Sequence, residues 1–288
     1  MDLSADVPTH FRTSAVRPGP LGMLREAVDE VLGRRRLIGY MVQADLHKKG
    51  ADTVLGNLWW VLDPLLQMVV YVVLVSVIFQ RAAPDYPLFI FAAILPWKWF
   101  QSSIQDGITS VTGGERLIRQ IKFPKLVLPI AAVSAGVVNF AFGLIPLFAL
   151  MLLFFRDRIE ITLVLIPVVA LVQLVFNLAL TILLAAVNVF YRDVGNLARH
   201  FLRLWFYLSP ALFSLDQLVH ATERYPVIQR LLTLNPWATL FTAYRSVIYD
   251  GRWPNWGSLA LVLGGSIVLL ALTTLLFKRL EPSFAKVL

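Results

Sequence analysis

The chain has 288 residues, 58% of them hydrophobic and only 15% charged, with a mean hydropathy of +0.70. A water-soluble globule carries about 25% charged residues, so a soluble enzyme or binding domain is excluded and a polytopic membrane protein is indicated. A formal charge of +8 would suggest a nucleic-acid partner in a soluble protein, and the absence of cysteine rules out a disulfide framework or a thiolate metal site.

In chain order, residues 1–20 read as a disordered cytoplasmic tail: they are polar, with Arg12, Arg17, Pro18 and Pro20, and have no apolar core of a cleavable signal. From Leu21 to about Lys49, apolar positions such as Leu24, Val28, Val31 and Leu32, then Ile38, Met41 and Val42, recur at helical spacing among Arg25, Glu26, Asp29, Glu30 and Arg34 to Arg36. This stretch is too polar to span a bilayer. It reads as an interfacial amphipathic helix with its basic residues near anionic lipid, within a cytoplasmic region of residues 21–56; a helix packed on a protein partner is the alternative.

Since a helix needs about 20 apolar residues to cross the hydrocarbon, six spans follow: 57–79, 88–112, 126–154, 161–190, 198–215 and 257–277. The fifth is short and is expected to be kinked at Pro210. Between the second and third lies a basic island, residues 113–125, whose pattern predicts a brief amphipathic helix. Leu117, Ile118 and Ile121 fall on one side, Arg116, Arg119 and Lys122 on the other, and Pro124 stops it. Two helical turns are marginal in water, so the membrane surface or another protein must hold the apolar side.

Lys and Arg are retained on the cytoplasmic side. Eighteen lie on the side of the N-terminus in this topology and seven on the other, with Lys98 inside a span. Both termini, including the tail 278–288, are therefore predicted to be cytoplasmic, and the net charge needs no nucleic acid to explain it. The outer segment 216–256 is too long for a hairpin loop and too apolar for a solvated one. Broken apolar helices are tolerated at membrane depth where protein covers them. Two short re-entrant helices meeting near Asn235–Pro236 are expected to form an outer gate with Trp237, Phe241 and Tyr244; a pair of helices resting on the outer surface is the alternative.

Several short motifs occur in a fixed order: Leu55-Gly56 with Trp59-Trp60 and Pro64; Leu95-Pro96-Trp97 and Phe100; Phe123-Pro124-Lys125 with Leu128-Pro129; Tyr191-Arg192-Asp193-Val194; Ser209-Pro210; Asn235-Pro236 before Arg245; and the tail Leu280-Glu281-Pro282-Ser283-Phe284-Ala285. In this order the chain resembles, from about residue 36 onward, the membrane subunit of type-2 ATP-binding-cassette exporters of polysaccharide, which move O-antigen, capsule, teichoic acid or galactan. It departs from many relatives at His47 to Val54, where basic character survives without an aromatic residue.

The resemblance implies an all-α permease domain over residues 57–288, a homodimer with a channel on its axis, and two copies of a separate cytoplasmic ATPase that bind ATP and Mg²⁺. The substrate would be a lipid-linked glycan crossing the cytoplasmic membrane. It makes the island a coupling helix, with Glu115, Arg116, Leu117, Ile118, Arg119, Ile121, Lys122 and Phe123 facing the ATPase together with Tyr191, Arg192 and Asp193. The sequence contains no Gly-x-x-x-x-Gly-Lys-Ser/Thr phosphate cradle, so no ATP site of that kind is expected in this chain. No cofactor, catalytic residue or metal site is expected either, since His10, His47, His200 and His220 are scattered.

The second span is the candidate transport path. Beyond an apolar outer part it carries Lys98, Gln101, Ser102, Gln105 and Asp106, a polarity costly against lipid. Lys98, Ser102 and Gln105 share a helix face. Trp97, Trp99 and Phe100, with Trp59 and Trp60 at the start of span one, offer stacking surface to sugar rings, and Lys98 an attraction for pyrophosphate. In the other reading Lys98 pairs with Asp106 or Asp63, and the tryptophans form an interfacial belt. A polytopic enzyme acting on lipid-linked glycans would need converging acids and bases, and a secondary transporter would show ionisable residues in several spans and repeat symmetry; neither pattern is present.

Overall fold

The computed structural model describes residues 19–50, 55–80, 82–121, 123–221 and 225–288. Among them there is no strand; the protein is an all-α polytopic membrane protein. Its helices are α1 (Pro20–Gly33), α2 (Arg35–Gly50), α3 (Trp59–Val72, continued by a π-helical turn Val73–Ile78), α4 (Tyr86–Gly113), α5 (Glu115–Gln120), α6 (Val127–Phe154), α7 (Ile166–Phe190), α8 (Val194–Leu208), α9 (Leu215–Ala221), α10 (Pro226–Leu234), α11 (Pro236–Ile248) and α12 (Trp256–Val287). Among the described residues, four stretches are long and apolar enough to cross a bilayer: Trp59–Ile78, Val127–Phe154, Ile161–Phe190 and Trp256–Phe284.

The axis of the bundle is α4. Every residue from Leu88 to Leu95 is buried, and α3, α6, α7, α8 and α11 all pack around it. A stretch apolar on all sides, as Leu88–Leu95 is, belongs in the middle, and close approach is built in with glycine. A Cβ on Gly107 would lie 2.0 Å from Thr181 Cγ2 of α7, and one on Gly136 of α6 would lie 2.8 Å from both Ser103 Oγ and Trp99 Cδ1. Such small residues let membrane helices pack backbone to backbone. Polar side chains of α7 then bond to carbonyls of α4: Gln173 Nε2 donates to Pro96 O (2.8 Å) and Asn188 Nδ2 to Ile108 O (3.0 Å).

The N-terminal region differs from the single interfacial helix expected. It breaks at Arg34 into two helices, each docked on the bundle. Ala27 is buried in a cluster with Val111, Leu128, Val189, Phe277 and Phe284, and Lys278 Nζ donates to both carboxylate oxygens of Glu30 at 2.9 and 2.8 Å. These contacts put α1 at the same end of the bundle as the C-terminal ends of α4, α7 and α12. The expected tail, residues 1–20, lies outside the described residues but for Gly19 and Pro20.

The fifth expected span is also corrected. Its helix, α8, starts four residues earlier than expected and stops at Leu208, so Pro210 follows the helix rather than kinking it. Fifteen residues reach about 22 Å, short of the roughly 30 Å of hydrocarbon. The remaining depth is filled by α11, which the structure buries almost completely.

Candidate functional site: a polar cleft, a coupling face and a mid-bilayer joint

A cleft of about 440 Å³ opens beside α4. Its walls are Trp59, Trp60, Asp63 and Pro64 of α3, Asn139, Phe140 and Gly143 of α6, Lys49 of α2, and Leu95, Lys98, Trp99, Gln101, Ser102, Gln105 and Asp106 of α4. The helical register explains the gathering: Lys98, Ser102 and Gln105 follow at i, i+4 and i+7, and Asp106 stands two turns beyond Lys98, on one side of a helix whose other sides are core. The cleft is bridged at two levels. Lys98 Nζ donates to Asp63 Oδ2, and Lys49 Nζ contacts Asp106 Oδ2 (2.7 Å) and Asp45 Oδ2 (2.9 Å). Burial alone would lower the Lys49 pKa, but the two aspartates outweigh it and hold the ammonium above its usual range.

The expected aromatic path divides in two. Trp59, Trp60 and Trp99 border the cleft, Trp59 half-exposed and the Trp60 ring 5.3 Å from Phe142. Trp97 and Phe100 do not: the first is 3% and the second 0% exposed. Their rings are enclosed by Trp205, Phe206, Trp237 and Phe241, at centroid distances of 4.8 to 6.4 Å. The expectation that they offer stacking faces to a sugar is therefore corrected; the cluster glues α4 to α8 and α11. Leu-Pro-Trp on α4 turns its tryptophan toward the core because Trp97 and Lys98 are successive residues of a helix, about 100° apart, and Lys98 takes the cleft side.

At the other end of α4 the island forms a shorter helix than its pattern predicts. The helix ends at Gln120, and Ile121 is extended (φ −132°, ψ 144°) and exposed, off the apolar side where it was expected. Ile118 and Phe123 pack against the cluster of α1, α6, α7 and α12, so the chain itself holds the apolar side. Arg116 and Arg119 are exposed, the latter 2.9 Å from Glu115 Oε1, and Leu117 is half-buried. Lys122 lies outside the described residues. The turn Tyr191-Arg192-Asp193 is exposed at the same end, where Phe190 meets Phe284 at 5.9 Å.

The third feature is a joint between half-length helices. Asn235 caps α11, its Oδ1 accepting from Trp237 N (3.0 Å). The same oxygen accepts from Trp205 Nε1 of α8 (3.0 Å), and Asn235 Nδ2 donates to Ser209 Oγ (2.8 Å) just beyond the end of α8. The joint shares a crevice of about 380 Å³ with Phe176, Gly265 and Ser266. Gly265 lies about 14 Å along α12 from its start, near the middle of the hydrocarbon, so α10 and α11 meet at mid-bilayer depth. Of the expected gate residues, Trp237, Phe241 and Tyr244 are wholly buried on α11, and Tyr244 OH donates to Gln173 Oε1 (2.8 Å). The other half of the pair, α10, is largely exposed, including Val227, Leu231 and Leu234. Helix α9 was not expected from the residue pattern.

No family model matches the chain. Curated relatives do. An O-antigen export system permease protein, RfbA, of Myxococcus xanthus is 34% identical over 259 residues, 90% of this chain and 98% of the relative. Two RfbA proteins of Klebsiella pneumoniae with the same description are 26% and 25% identical over 253 residues, 88% of this chain and 95% of each relative. The chain belongs to the family of O-antigen export system permeases.

One residue of this permease that sequence reasoning placed only within the outer re-entrant segment 216–256 is buried in its core. Arg245 of α11 is 5% exposed. Its Nη1 donates to Pro210 O (2.5 Å) and Phe213 O (3.3 Å), its Nη2 to Ala211 O and its Nε to Phe89 O (3.4 Å). The guanidinium carbon lies 3.7 Å from the centroid of the Phe89 ring. With no carboxylate within salt-bridge distance among the described residues, the guanidinium is held by the Phe89 carbonyl of α4 and by three carbonyls that the break after α8 leaves free of a helix ladder. The available signal was an arginine inside an otherwise apolar run, Trp237 to Ile248, together with Ser209-Pro210 upstream.

Proposed function

We propose that this chain is the membrane-embedded half of an ATP-driven exporter that carries a lipid-linked polysaccharide or related envelope glycan across the cytoplasmic membrane of a bacterium. The observation that carries this reading is the likeness to the Myxococcus xanthus permease along 98% of that protein. Two copies of the chain assemble around a shared path, and two copies of a separate cytoplasmic ATPase bind ATP and Mg²⁺. Both termini face the cytoplasm, in keeping with the excess of Lys and Arg on that side.

In the stroke, the ATPases engage α5 through Glu115, Arg116 and Arg119 and the neighbouring turn Tyr191-Arg192-Asp193. Because Ile118 and Phe123 pack on the same cluster as α1 and the end of α12, a push on α5 moves those elements together. The cleft supplies polar and aromatic surface along α4, and the joint at Asn235 closes the outer half between strokes. A polar cleft at membrane depth is costly against lipid, which favours its lying on a wet path or against a second copy.

The test is ATPase activity of the chain reconstituted in lipid with the ATPase encoded nearest to it, with and without Arg116, Arg119 and Lys122 changed to Glu. The expected result is a complex that hydrolyses ATP and that the charge reversal uncouples or dissociates. Failure of any ATPase to bind a folded permease overturns the reading.

A further inference from the structure

We propose that Asp63 is a place-holder on Lys98: it occupies the position of a lipid phosphate in the cleft, and a phosphate-headed lipid entering from the bilayer displaces it. This rests on the membrane-transport reading above and names the chemistry that the cleft takes and the residue that tunes it.

The two ion pairs of the cleft are unequal. Lys49 is compensated twice, by Asp45 and Asp106, and all three side chains are about equally covered. Lys98 has one carboxylate, and the two partners sit differently: the lysine side chain is 25% exposed in the wall of α4, whereas Asp63 is 64% exposed at the start of α3. The fixed member is thus the cation and the loosely held member the anion. A phosphate oxygen arriving at Lys98 replaces one anion by another, so the lysine is never left unpaired at membrane depth, the state that costs most. Asp63, the more exposed of the two partners, is the one that can turn away, since a partly exposed pair is weak.

The surroundings fit an amphiphile better than a free anion. The cleft is bounded by α3 and α6, and these helices turn apolar, exposed side chains outward, Leu66, Val69 and Val73 on one, Ile145 and Phe148 on the other. A tail can run along them while the head sits in the cleft. Beside Lys98 are the amides Gln101 and Gln105 and the half-exposed Trp59, and Asn139 Oδ1 is buried without a hydrogen-bond partner, so the cleft has acceptors and donors left for hydroxyls next to the phosphate. The element that must yield, α3, carries Pro64 one residue after Asp63 and a π-helical turn at Val73–Ile78, the features at which helices bend.

The experiment measures equilibrium binding of radiolabelled dodecyl phosphate and of dodecanol to the full permease in octaethylene glycol monododecyl ether micelles, which contain neither phosphate nor sugar, with melting temperature followed in parallel. In the native chain the phosphate is preferred over the alcohol. Asp63→Asn tightens dodecyl phosphate by up to about fivefold, the worth of a partly exposed ion pair, and leaves dodecanol unchanged. Lys98→Gln abolishes the preference, alone and in combination with Asp63→Asn, while Lys98→Arg keeps it. A gain of affinity in Asp63→Asn cannot come from misfolding. The proposal is overturned if Asp63→Asn binds dodecyl phosphate no more tightly than the native chain, or if the phosphate preference survives Lys98→Gln. The lipid part is overturned if inorganic pyrophosphate displaces dodecyl phosphate as well as unlabelled dodecyl phosphate does. No ATPase takes part, so failure here is distinct from failure of the complex to assemble.

Discussion

Lys98 and Arg245 of this permease are handled in opposite ways. Lys98 stands in a cleft wall with an exposed carboxylate as its one charged partner among the described residues. Arg245 is enclosed, with three carbonyls after α8 and one on α4 around it and an aromatic ring beneath. The lysine is a point charge on a flexible stem and can exchange partners; the planar fork of the arginine fits several carbonyls at once and is spent on architecture. The difference teaches that charge within a membrane protein is not one signal: what matters is whether its partner is mobile or is the backbone itself.

The comparison breaks most visibly at the arginine. Arg245→Gln strands the carbonyls of Pro210, Ala211 and Phe213 in a dry environment, and a loss of about 3 kcal/mol is expected from buried acceptors left unpaired. Thermal unfolding in detergent should fall sharply, and Arg245→Lys should recover only part of the loss. Next comes Asn235→Ala, which removes the α11 cap and both bonds to α8; about 1–2 kcal/mol is expected, with faster amide exchange at the start of α11 as the local readout. At the cleft, Asp63→Asn should change stability by less than about 1 kcal/mol, which the same melt resolves from the arginine effect. An equal loss at both cations would erase the distinction.

The smallest effect is expected with pH. The folded state holds Lys49 above its usual pKa of 10.5, so its contribution is fully present below that value and is lost only as pH rises through the higher folded value. A fluorescence reporter placed near Asp106 should therefore show no opening of the Lys49 contact between neutral pH and about pH 10. Opening in that range would show that Lys49 is not held by its aspartates.

How much of this was legible depended on whether the signal was local. Long apolar runs gave α3, α6, α7 and α12, because hydrocarbon thickness imposes length directly. The one-sided polarity of Lys98, Ser102 and Gln105 pointed to the cleft, since helical register is local too; which acid Lys98 takes was open between Asp63 and Asp106, and only packing chose. Trp97 and Phe100 were misread because an aromatic beside a lysine looks alike in a belt, a binding wall and a core. Ala211-Leu212-Phe213 prolonged the apolar run past Pro210 and hid the end of α8. What replaces the missing ladder there is an arginine 34 residues later in the chain, a pairing that no local pattern encodes. Ile121 fell off its expected face because the helix stops before Pro124, not at it.

If the outer half is the gate proposed above, the meeting of α8 and α11 bears on how it can open without melting. A continuous helix would have to give up several backbone hydrogen bonds to bend aside at mid-bilayer. Two abutted rods would part at a seam spanned by side chains alone: Trp205 and Ser209 bonded to Asn235, each bond worth about 1 kcal/mol net, and Arg245 on the carbonyls after α8. Each rod keeps its own turns intact while they swing. On that reading the membrane faces a perforated line rather than a solid wall, closed at rest by the buried Trp237 and Phe241 and pinned at Asn235.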